Sequence, residues 1–468
     1  MCSARYNPLA MPDVTLPFGS SMIQATLPER TRFVGGGSAG PGLTAAPDQA
    51  AAVRQALDNP LGTPRVGALV RPGDRVLIAF DDPTAPSFGP VRSLAIEGVL
   101  DQLAAASVPE SNVTLVCANA LHRKWTNEEL ARVLSPSLVE RFGERLLCHD
   151  AEDSENIVSL GPTESGYEVD INRLVVESDL TVYINAANHL GFNGGWKSVS
   201  VGLSTWRSIG HTHTPDGMSM SVRGNRMHHV FEEQGRYLEQ KLGRRVFKFE
   251  TLLANPAQIA QCWAGGVDEC RTAAMDAQAA VHKPRRDQAE ERADVVVYGI
   301  PDWSPYATFA RMNPVLTLIS SALGYLGGYI EAIGKPGCSV IIATPCPDDW
   351  DMEHHPSYKE VWDRVLPVEK DPYRITHRFG EEFATHAGYI DQYRHGYAFH
   401  PVHGILATHP LKRLKHAGRI FVAGAADPSI PRHVGFIPAA TVEDAVKEAE
   451  KIHGMDCSIA CVRNPQGV

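Results

Sequence analysis

Short apolar runs that end in polar or acidic residues, each followed by a segment of helical spacing, set the limits on how this chain can fold. Residues 75–80 (RVLIAF) run into Asp81-Asp82 and precede a helical pattern over 91–106. Residues 112–117 form the next run, 127–133 the next helix and 145–148 a further run. Residues 179–185 (DLTVYIN) lead through the turn Gly191-Phe192-Asn193-Gly194-Gly195 into a helix-compatible stretch over 197–209. Strands separated by helices need right-handed crossovers, so the expected sheet is mostly parallel and covered on both faces. Such sheets gather functional groups beyond the carboxyl ends of their strands, and Asp81, Asp82, His122, His149 and His189 all fall there.

A polar stretch over 282–292 (HKPRRDQAEER) reads as a linker, after which the alternation resumes: a strand over 294–298, a helix over 315–333, strands over 338–344 and 419–424, and a last helix capped by Thr441. The expected architecture is two α/β domains with mostly parallel sheets and an active-site cleft between them. The first spans residues 1–285 and carries the chemistry. The second spans 286–468 and closes the cleft, its last helix packing back on the first domain.

Composition narrows the partners. With 43% apolar and 21% charged residues in 468, the chain has the make-up of an ordinary globular protein with room for a core in each half. A net charge of −10 argues against nucleic acid, which selects a basic face. The most apolar stretch, 315–330, is interrupted by Thr, Ser and glycines and reads as a buried helix, so no membrane span is expected. No basic region precedes an apolar core at the start, and nine scattered cysteines include no CxxC; both suit a cytoplasmic protein.

The stretch 185–213 concentrates the chemistry. The amides and dipole of a helix start favour an anion, so the glycine turn could hold a phosphate while Lys197 reaches inward. A P-loop is excluded, because Trp196 stands where close backbone approach to phosphate requires glycine. His189 lies eight positions before Lys197, and His211 and His213 lie fourteen and sixteen after it. Residues two apart in an extended segment point the same way, so the two later histidines share one side.

These residues resemble the nickel-pincer lactate racemases: the histidine before the glycine turn, Lys197 after it, Gly202, and His213 sixteen past the lysine. Residues 14–19 (VTLPFG), Ala120-Leu121-His122-Arg123, His149-Asp150, Ile171-Asn172-Arg173 and 249–265 follow the same family's pattern. The resemblance implies an isomerase that racemises or epimerises a 2-hydroxy acid through a 2-keto acid. It implies a nickel-pincer nucleotide (nickel pyridinium-3,5-bisthiocarboxylic acid mononucleotide) tethered covalently to Lys197, with His213 as nickel ligand and His211 as fallback. Thr84, Gly194 and Gly195 fall with the cofactor-binding positions. His122 and His189 match the family's acid–base pair, with Asp82 beside them. Partners are then the small 2-hydroxy acid and the cofactor-building enzymes.

Departures point away from lactate itself. Where the family shows D-x-T-R-P, this chain has Asp82-Pro83-Thr84-Ala85-Pro86, without the arginine. Arg311, in the stretch 303–314, is the candidate for the substrate carboxylate, and Trp196 the candidate for added apolar surface against the substrate. Two other readings use the same residues: a zinc-dependent hydrolase with Asp81 or Asp82 as general base, and a non-catalytic nickel or nucleotide carrier.

Overall fold

The computed structural model describes residues 12–34, 43–186, 193–217, 226–281 and 292–463. It is built on two six-stranded sheets. In the first, Val76–Asp81 lies centrally between Leu180–Ile184 and Val113–Ala118, and Leu146–Cys148 forms one edge, all parallel. The other edge is the antiparallel pair Phe247–Asn255 and Gln258–Gly266. These strands are continuous apolar runs because both faces are covered: Leu77 and Ala79 face one cluster, Ile78 and Phe80 the other. The mostly parallel α/β architecture read from the sequence is therefore the one observed.

The second sheet is all parallel, in the order Ile437–Ala439, Arg419–Ala423, Gly334–Ala343, Ala293–Gly299, Ile459–Val462 and Thr31–Val34. Its last edge strand comes from the N-terminus. The hairpin Asp13–Phe18 and Ser21–Thr26 packs on the same sheet, burying Val14 and Leu16 against Val295, Val297 and Ile341. So residues 13–34, placed by sequence with the first domain, sit with the second. The hairpin turn also anchors the cavity wall: Gly19 donates to the Ile300 carbonyl at 3.0 Å, and Asp302 donates back to Gly19 at 2.9 Å.

The terminal helix Val442–His453 is capped by the Thr441 hydroxyl, which accepts from Asp444 N at 3.1 Å. It does not pack on the first sheet. It lies on its own sheet and against the N-terminal hairpin, where Glu443 accepts from Thr26 N at 2.7 Å, because its apolar face matches the strands its own chain has just built. The single helix expected over 315–333 is two: a π-helical segment Val315–Tyr325 and a short helix Gly328–Ile333. They divide at Gly327, where a Cβ would come within 2.2 Å of the Leu323 carbonyl. Most of the linker expected over 282–292 lies outside the described residues. No helix among those described is long and apolar enough to cross a membrane.

A shared core joins the halves, running from Leu77 and Val116 through Val199 and Phe231 to Leu316, Ile319 and Ile342. Polar ties cross as well. The Tyr393 hydroxyl donates to the Ala120 carbonyl at 3.1 Å and accepts from Ala151 N at 2.9 Å. The joint leaves a cavity of about 560 Å³ open beyond the ends of the first sheet's central strands.

Candidate active site

The cavity floor begins with the loop 81–87. Arg92, fully buried at the start of Val91–Ala105, donates to four carbonyls of that loop: Asp81 at 2.8 Å, Ser87 at 2.6 Å, Asp82 at 3.0 Å and Ala85 at 2.9 Å. Held this way, Asp82 accepts from the Thr84 hydroxyl at 2.6 Å and from His122 Nδ1 at 2.9 Å. His122 reaches this position because Ala120 turns the chain with a φ of 51° and Asn119 Nδ2 donates to the His122 carbonyl at 3.1 Å. Burial pulls the Asp82 pKa up, but the His122 contact, then Thr84 and Arg92, outweigh it and hold the carboxyl below its ordinary value. An anionic Asp82 fixes the proton of His122 on Nδ1. That leaves Nε2 with its lone pair, the form a general base needs.

Lys197 and His213 share this cavity. Burial lowers the Lys197 amine to about 8, against the opposing pull of Asp81 and Asp82. Its Nζ is 3.5 Å from Asn193 Oδ1. A lysine so desolvated carries a substantial neutral fraction near neutrality, as a nucleophile must. Competitive labelling of the apoprotein with acetic anhydride should show Lys197 reactivity rising with half-maximum near pH 8. A half-maximum in the range of an exposed lysine, about 10.4, would contradict the buried amine.

The Thr212 hydroxyl donates its one proton to the Ile209 carbonyl at 2.7 Å and lies 2.9 Å from His213 Nδ1. Nδ1 must therefore be the N–H that donates to it, leaving Nε2 as the unprotonated nitrogen. Burial, then the neighbouring Lys197, His409 and His122, lower His213 to about 3, so it is a neutral imidazole over the working range of a protein. His211, the fallback ligand, pairs instead with Glu168 and packs against Tyr167, and does not line the cavity.

The glycine turn works differently from the expected phosphate cradle. Gly194 and Gly195 both adopt positive φ, and a Cβ at Gly194 would lie 2.0 Å from the Glu250 carboxylate. Gly195 N donates to Glu250 at 3.0 Å, so the anion at this helix start is the protein's own. Buried Lys248 completes the set, donating to the Gly195 carbonyl at 3.2 Å with Glu250 3.7 Å away. The glycines thus shape the turn that aims Lys197, and neither lines the cavity. The helix expected over 197–209 is divided into Trp196–Gly202 and Trp206–Ile209, because Ser204 and Thr205 turn to Asp170, at 2.6 Å and 3.0 Å.

Two predicted substrate contacts are corrected. Arg311 does not reach the cavity: its side chain is 60% exposed, bonded to Asp349 at 2.6 Å and to the Trp350 carbonyl at 3.2 Å. Trp196 is 2% exposed and points into the core, its indole donating to Asp268 at 2.9 Å and its ring lying against Gly235. A Cβ at Gly235 would come within 2.1 Å of that ring. Gly235→Ala is therefore expected to cost about 3 kcal/mol by overpacking, read as a lowered denaturation midpoint. Asp81 is committed to structure, accepting from the Tyr183 hydroxyl at 2.9 Å and from Ala186 N at 3.1 Å. His149 is likewise structural, tied to the Ser204 carbonyl at 2.9 Å and to Asn172 at 3.0 Å. His189 lies outside the described residues.

The second half supplies a wall that the sequence reading left unassigned: Trp303, Tyr306, Tyr325, His403, Lys412 and Arg413. His403 is buried, its ring centroid 5.2 Å from that of His122 and 4.4 Å from that of Tyr306. Lys412 donates to the Pro215 carbonyl at 2.8 Å. Arg413 donates to the Leu323 carbonyl and faces Glu331 at 3.4 Å. Trp303 and Tyr306 lie in the stretch 303–314 that was read for Arg311, and His403 ends a glycine- and aromatic-rich loop over 395–403, whereas the basic run at 412–415 looks like surface.

Residues 18–223 match the family model of the lactate racemase N-terminal domain. The lactate racemase of Lactiplantibacillus plantarum is 26% identical over 229 residues, covering 48% of this chain and 52% of that one. That of Thermoanaerobacterium thermosaccharolyticum is 31% identical over 207 residues, covering 43% and 47%. The chain thus spans about half the length of the curated relatives it matches. The fold match is longer. The solved lactate racemase apoprotein from T. thermosaccharolyticum superposes with a TM-score of 0.70 at 21% identity, over 98% of this chain and 99% of that one. A Thermotoga maritima protein follows at 0.52 and 14%, over 90% and 98%. The resemblance carried by the histidine, glycine and lysine motifs is therefore one to the lactate racemase family, in sequence across residues 18–223 and in fold across nearly the whole chain.

Proposed function

We propose that this protein is an isomerase that racemises or epimerises a 2-hydroxy acid through a 2-keto acid, with a nickel-pincer nucleotide tethered to Lys197. One observation carries the reading: a poised amine, a neutral imidazole with a free Nε2 and an Asp82-oriented base converge on one cavity of about 560 Å³. That volume suits a nucleotide-sized group and a small acid together. Lys197 would hold the group covalently and His213 Nε2 would ligate its nickel, a nitrogen donor that suits square-planar nickel. When bound, the group supplies the acceptor and donor for hydride at the substrate's Cα. The chain supplies the rest: His122 Nε2 takes the hydroxyl proton and returns it, and Asp82 stabilises the resulting imidazolium. His189 is proposed as the second proton carrier, for the opposite enantiomer.

A zinc hydrolase finds less support, since among the described residues no three His, Cys, Asp or Glu gather as a metal-binding group. Protein made alongside the cofactor-building enzymes should interconvert enantiomers on chiral chromatography. With Ala85 at the arginine position and Trp303, Tyr306 and Tyr325 on the wall, acids with larger apolar side chains should exceed lactate in kcat/KM by at least about tenfold. Lactate as the best substrate by a wide margin would refute the pocket reading, and the absence of any racemisation would refute the function.

A further inference from the structure

The arginine missing at Ala85 leaves open what grips the substrate carboxylate, and Arg311 is turned away. His403 lines the same cavity from the second half, its ring centroid 5.2 Å from that of His122. Its protonation follows from Tyr358. The Tyr358 side chain is fully buried, and its hydroxyl lies 2.6 Å from His403 Nδ1, its one hydrogen-bond partner among the described residues. Were Nδ1 the donor, the phenol proton would be buried without an acceptor, a cost that folded proteins avoid. Tyr358 therefore donates, Nδ1 accepts, and the ring's proton sits on Nε2. Burial, then His122, His213, His355 and His400 around it, keep the ring neutral. Aromatic packing fixes its plane, with Phe399 at 4.9 Å and Tyr306 at 4.4 Å; Tyr306 is held in turn through its carbonyl, which lies 2.9 Å from His355 Nε2.

The two neighbouring imidazoles are thus opposite in kind. His122 offers a lone pair and His403 an N–H, and the two rings meet edge to face with centroids 5.2 Å apart, so a ligand lying beside the contact can meet both. A 2-hydroxy acid is complementary to that pair, since its hydroxyl donates and its carboxylate accepts. We propose that His403, set by Tyr358, is the hydrogen-bond donor that grips the substrate carboxylate, in the role that Ala85 cannot fill. The proposal rests on the 2-hydroxy acid reading above and assigns the grip within it. His403 touches substrate, and Tyr358 is a positioning residue.

Probes without a transferable Cα hydrogen separate grip from chemistry: 2-hydroxy-2-methylpropanoate and 2-hydroxy-2-phenylpropanoate, titrated calorimetrically into holoenzyme. Loss of a hydrogen bond to a charged acceptor weakens binding roughly ten- to a hundredfold, so His403→Ala should weaken whichever probe the wild type binds by that factor. KM for the best racemised acid should rise in parallel, with a smaller change in kcat. His403→Gln, which keeps an N–H donor, should recover part of the loss. Tyr358→Phe, isosteric and apolar, should raise KM severalfold while leaving the thermal midpoint within a few degrees. Unchanged probe affinity in His403→Ala, or no recovery in a folded His403→Gln, overturns the grip even if the wild type racemises. A wild type that binds the probe through His403 but racemises nothing upholds the grip and removes the isomerase reading.

Discussion

Lys197→Ala should abolish activity, with a fall on the order of 10⁴-fold or more, as expected when a residue that carries the reacting group is removed. Intact mass and metal analysis provide the check. Protein made with the cofactor-building enzymes should gain a nucleotide-sized mass on the peptide containing Lys197, with nickel in proportion, and the alanine variant should gain neither. Lys197→Arg should fail equally, because a guanidinium stays charged where the buried amine is drawn down to about 8. Full nickel retention in Lys197→Ala, or an adduct on another lysine, would sink the tether.

The second large effect concerns His122. His122→Asn keeps a donor toward Asp82 but has no basic nitrogen, so kcat should fall by roughly 10²–10⁴-fold with little change in KM. The same residue decides a label experiment. If His122 touches only the hydroxyl proton, a substrate deuterated at C2 should keep its deuterium in both enantiomers during turnover in ordinary water. If it removed the Cα proton, its imidazolium would exchange with solvent before returning it. Substantial washout would therefore move His122 from oxygen to carbon and end the hydride reading.

What could be read from the chain alone follows physical range. Strands such as Val76–Asp81 and Val113–Ala118 were legible within a residue because burial on both faces makes them continuous apolar runs. Asp82 and His122 were legible because both lie just past strand ends, whereas Thr84, read with the cofactor positions, turned out to donate to Asp82. Trp196 and Arg311 were misassigned for one shared reason: direction. Sequence shows that an indole or a guanidinium is near a site, but whether it turns inward depends on partners such as Gly235 and Asp349, far away in the chain. Glu250 was hidden in the same way, since nothing local marks it as the anion for a turn at Gly195. His403 ends a stretch rich in glycine and aromatic residues, but its tautomer depends on Tyr358, forty-five positions earlier.

The edge strand Thr31–Val34 lies against Ile459–Val462, two segments from opposite ends of the chain. A ribosome delivers the first of these more than 400 residues before the second. The hairpin Asp13–Thr26 and this strand must therefore wait, with Val14 and Leu16 uncovered, while the whole first sheet is synthesised and can fold. Contacts of such sequence separation close slowly, and unpaired strands invite intermolecular pairing meanwhile. The second sheet is thus not complete until Ile459–Val462 has joined it. A fragment cut at residue 285 would keep that waiting segment exposed for good, whereas one covering 43–281 would leave it out.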